Sequence, residues 1–137
     1  MSTIKAALDA SIAQLTSEAL PWAVSTTTID GVEYKYYPKA PQTLVELLDQ
    51  GRNHGDNEFL IYENERMSFN QYFAQVDALA WQLQNTLNIK PGDRVAIAMR
   101  NYPEWMIAFA AIANAGAVIV PLNSWGQRAE LEYGLTD

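Results

Sequence analysis

Apolar residues along the chain fall into runs whose spacing switches between the helical period and the strand period. Ile4, Leu8, Ile12 and Leu15 recur at helical intervals on a segment otherwise small and polar, which predicts a first amphipathic helix ending before Pro21. From Val24 to Tyr37 the residues are β-branched and aromatic, with Asp30-Gly31 as a turn dipeptide between two runs, so a β-hairpin is expected. Thr43 followed by Glu46 has capping-box chemistry, and Leu44, Leu47 and Leu48 give a short helix its apolar side, with Gly51 as the expected stop. Phe59 to Tyr62 and Arg66 to Ser68 read as two short paired strands around a turn near Asn64.

Ser68 and Gln71 repeat the capping box, and Tyr72, Phe73, Val76, Leu79, Ala80, Leu83 and Leu87 keep to one face of a long helix. Pro91-Gly92-Asp93 breaks it. Val95 to Met99 is apolar without alternation, as in a strand covered on both faces. Asn101 is the expected cap of the next helix, with Pro103 tolerated in its first turn and Glu104 favoured by the helix dipole. From Trp105 to Ala113 that helix is apolar all round, so it belongs between layers or against another domain. Gly116 precedes the strand Ala117 to Val120, and strand, helix and strand together predict a right-handed parallel crossover. A last helix starts near Gln127 with Ala129, Leu131 and Tyr133, and the chain reaches Asp137 without a helix stop, which reads as a cut. The expected class is α/β: part of a parallel sheet with mixed edges and helices on both faces, preceded by a helix and a hairpin. Its organisation is a leader over 1–42 and an α/β part over 43–137.

The totals narrow the function. With 137 residues, 49% of them hydrophobic, the chain buries a real core. Asp and Glu outnumber Lys and Arg sixteen to nine, and the basic residues are scattered, which argues against a nucleic-acid surface. With no cysteine and one histidine, His54, neither disulfides nor a thiolate or imidazole metal site can be assembled in one chain. Met1 to Ala13 lacks the continuous apolar core of a secretory signal, so a cytoplasmic location is expected. The apolar run Trp105 to Leu122 is at the short limit for crossing a bilayer and is interrupted by Asn114 and Gly116, so it reads as a buried helix followed by a buried strand.

Candidate chemistry is sparse. Ser25 to Thr28 with Asp30-Gly31 has one glycine where a phosphate loop needs several, and no adjacent lysine, so the hairpin reading wins. His54, in Asn53-His54-Gly55-Asp56, reads as an exposed loop residue, and Glu63, Glu65 and Arg66 as solvated turn charges. Trp105, Met106 and Phe109 lie on the apolar helix and are read as packing rather than ligand stacking. That helix also suggests self-association through the surface around Trp105 and Phe109.

Three segments appear in order: Pro91-Gly92-Asp93-Arg94-Val95-Ala96-Ile97, Asn101-Tyr102-Pro103-Glu104-Trp105, and Ala113 through Asn123. Together they resemble the N-terminal region of the adenylate-forming, or AMP-binding, superfamily: acyl-CoA synthetases, peptide-synthetase adenylation domains and firefly luciferases. Met67-Ser68-Phe69-Asn70-Gln71-Tyr72-Phe73 is similar to the family's first core motif, and Ala115-Gly116-Ala117-Val118-Ile119-Val120-Pro121-Leu122 to its second. Ala129 to Tyr133 resembles the segment that follows, and Gly31 through Pro41 is similar to the leader of fatty and medium-chain acyl-CoA ligases. The resemblance covers Thr43 to Asp137. It implies that a full-length parent joins a carboxylic acid to ATP with magnesium, releases pyrophosphate and passes the acyl group to CoA. The family's phosphate loop, nucleotide contacts, magnesium-binding acid and catalytic lysine all lie beyond the second core motif. The resemblance therefore assigns no catalytic, cofactor-binding or metal residue within these 137, and this part alone is expected to be inactive, with the remainder of its own enzyme as its partner. A peptide-synthetase or aryl-acid adenylation domain, and a free-standing α/β interaction module, are the alternatives.

Overall fold

The computed structural model describes residues 2–136, and the chain divides into two compact units, one running to Gln42 and one beginning at Thr43.

The first unit opens with helix α1 (Ser2–Leu15), then strands β1 (Ser25–Ile29) and β2 (Val32–Tyr36). The strands pair antiparallel, and Ile29 faces Val32 across the two-residue loop Asp30-Gly31. Both loop residues have positive φ, 52° and 80°, the geometry in which a primed turn matches the twist of a hairpin. Between helix and hairpin the chain doubles back, the Val24 amide donating to the Thr16 carbonyl.

In the second unit, α2 (Leu44–Asp49) starts where Thr43 Oγ1 accepts from the Glu46 amide at 3.1 Å. Gly51 does not stop it. The chain continues as a 3-10 turn over Gln50–His54 and leaves it at Gly55, whose φ is 57°. Gly51 has a packing role instead, since a Cβ there would lie 3.1 Å from the Phe73 ring. Arg52 ties this turn to the next helix. Its guanidinium donates to both Asp77 oxygens (3.0 and 2.6 Å), its Nε to Asp49 (2.8 Å), and its plane lies 4.3 Å from the Phe73 ring centroid. The hydrogen bond to Asp77 raises the guanidinium pKa further above its ordinary value.

Strands β3 (Glu58–Tyr62) and β4 (Glu65–Ser68) form an antiparallel pair with a register shift between Glu58 and Leu60. Helix α3 (Phe69–Asn85) follows at once, and its capping box is complete: Ser68 Oγ accepts from the Gln71 amide, and Gln71 Oε1 accepts from the Ser68 amide. Leu87, expected on the helix face, lies past the helix end and is exposed, because the helix stops at Asn85 and Asn88 takes a left-handed φ of 57°.

Strand β5 (Arg94–Ile97), helix α4 (Pro103–Asn114) and strand β6 (Val118–Pro121) make the crossover, and the two strands pair parallel, Arg94 with Val118 through Ile97 with Pro121. Asn101 does not cap α4. Tyr102 does, without a side-chain bond, because Pro103 takes the first helical position and so fixes its predecessor as the cap. Val95 and Ile97 turn inward, while Ala96 and Ala98 lie on the face that this chain leaves uncovered. Each described sheet has two strands. Helix α5 (Arg128–Thr136) closes the chain, with Gly134 so near Leu122 that a Cβ would approach its side chain to 2.9 Å.

The core is the contact of α3 with α4. Tyr72, Phe73, Val76, Ala80 and Leu83 meet Ile107, Ala110, Ala111, Ile112 and Ala115, with Val76 and Ala111 wholly shielded from solvent. Ala110 and Ala111 on α4, with Ala115 at its C-cap, let the helices approach closely, and the Tyr72 hydroxyl donates to the Met106 carbonyl at 3.0 Å. Among the described residues no helix is long and apolar enough to cross a membrane.

Two predictions follow from this contact. Ala111→Leu is expected to destabilise the unit by about 1–3 kcal/mol through overpacking, read as a lower midpoint in denaturant. Burial raises the Tyr72 pKa above 10.0, so folding favours the neutral phenol. Its contribution is intact below that value and is lost as pH climbs through the folded-state pKa. Urea melts above pH 10 should show falling stability, and Tyr72→Phe should flatten that fall.

Candidate functional site

The parallel pair points to where a site would be built, since open parallel sheets bind ligands beyond the carboxyl ends of their strands. Here β5 ends at Ile97 and β6 at Pro121, and the segments that follow carry Arg100, Asn101 and Tyr102 on one side and Ser124 and Trp125 on the other. They line a recess of about 310 Å³ together with Tyr62. Its one cation, the Arg100 guanidinium, lies 3.4 Å from the Trp125 ring centroid, a cation–π contact.

An apolar cleft of about 320 Å³ adjoins it, bounded by Leu60, Ile61 and Tyr62 of β3 and by Tyr102, Pro103, Trp105 and Met106 at the start of α4. Tyr62 and Tyr102 meet edge to face, centroids 5.6 Å apart. The Tyr62 phenol is held above its ordinary pKa, first by desolvation and then by the negative charges of Glu63, Glu104 and Glu65 and by Tyr102. The recess carries a single guanidinium, already engaged with an indole. Among the described residues no group of three or more carboxylate or imidazole side chains could hold a metal ion.

The residues singled out in the sequence are scattered. Ser25 to Thr28 lie in β1, with Thr26 to Thr28 exposed on the hairpin. His54 is exposed, at the end of the 3-10 turn rather than in a loop, with its ring 4.7 Å from that of Phe69. Arg66 donates to the backbone carbonyls of Glu63 and Glu65. Trp105 and Phe109 stack on each other at 5.3 Å, half-buried against the core, while Trp105 also borders the apolar cleft. The recess residues Arg100 and Trp125 escaped notice because they are 25 positions apart; their shared signal is that each follows a strand end.

Against known proteins, a family model described as AMP-binding enzyme matches residues 47–137. A long-chain-fatty-acid–CoA ligase from Salmonella typhimurium is 34% identical over 101 residues, 73% of this chain and 18% of its own length. A 2-succinylbenzoate–CoA ligase from Bacillus velezensis is 35% identical over 78 residues, 57% of this chain and 16% of its own. Among solved structures, the Klebsiella oxytoca NpsA N-terminal subdomain in complex with 3-hydroxyanthranilyl-AMSN superposes with a TM-score of 0.64 at 29% identity, covering 69% of this chain and 24% of that one. The O-succinylbenzoate coenzyme A synthetase from Bacillus subtilis, in complex with ATP and magnesium, gives 0.60 at 28%, covering 68% and 25%. The chain thus spans about a fifth of the length of the curated relatives it matches.

Arg100→Ala is expected to cost about 0.5–1 kcal/mol, the worth of an exposed cation–π contact, and to leave Trp125 more open to acrylamide quenching.

Proposed function

We infer that this chain, which belongs to the AMP-binding enzyme family, is the scaffolding N-terminal part of an acid–CoA ligase and performs no chemistry by itself. The observation that carries the reading is the mismatch between a shared fold and an empty chemical inventory. Residues 47–137 match the family, yet the recess at the strand ends holds one cation, stacked on an indole. In the full-length parent, ATP, magnesium and CoA would be met by segments outside these residues. This part would hold the crossover on which those segments rest. The outward faces of Ala96, Ala98 and Val118 are where the remainder of the enzyme would lie.

The acid is proposed to be a fatty acid, supported by the long-chain-fatty-acid–CoA ligases among the relatives. An aryl-acid or peptide-synthetase adenylation domain is the second reading, favoured by the likeness to NpsA.

Calorimetry of the 137-residue chain with ATP and magnesium should give no heat of tight binding; a Kd of about 1 μM, worth about −8 kcal/mol, would overturn the scaffold reading. Pyrophosphate exchange by the full-length gene product should respond to fatty acids, and a response confined to aryl acids or amino acids would select the second reading.

A further inference from the structure

We draw no further inference here: the strongest candidate, the apolar cleft between β3 and the first turn of α4 lined by Tyr62, Tyr102 and Trp105, belongs to the site already described, and nothing in the structure shows what covers it.

Discussion

The second unit depends on how closely α3 and α4 approach. Small residues at Ala80, Ala110, Ala111 and Ala115 let the two backbones come together, and the larger Tyr72, Phe73, Leu83 and Ile107 fill what remains. Everything near the recess inherits its position from this contact. α4 covers the inward face of β5 and β6, its first turn presents Tyr102 and Trp105 to the cleft, and Tyr72 bonds back to the α4 backbone. The Arg52 cluster adds a lateral tie, but its partners are exposed and solvent screens them, so it orients the 3-10 turn more than it stabilises the unit.

Local chemistry made most of the elements legible. The Ser68–Gln71 capping box, the Asp30-Gly31 turn and the Pro91-Gly92-Asp93 break are each written in a few adjacent residues, and each is found in place. Misreadings arose where tertiary context outranked local preference. Gly51 looked like a helix stop, but it is small because Phe73 passes over it. The recess was the least legible part, since Tyr62, Arg100 and Trp125 come together only once β3, β5 and β6 are placed.

The two units differ in how they use apolar residues. From Thr43 onward Tyr72, Phe73, Leu83 and Ile107 are buried between the core helices, whereas the leader keeps nearly all of its large apolar side chains on the outside.

The parallel crossover has a bearing on biosynthesis. Arg94 and Val118 are 24 positions apart and pair through a helix lying between them, so the motif closes from neighbouring sequence alone. At a translation rate of roughly 5–20 residues per second, such a motif has seconds to form on the ribosome before much later sequence emerges. Closure of this kind turns the nascent polypeptide into its own template, since the register of β5 against β6 is set by residues that leave the ribosome within one short interval.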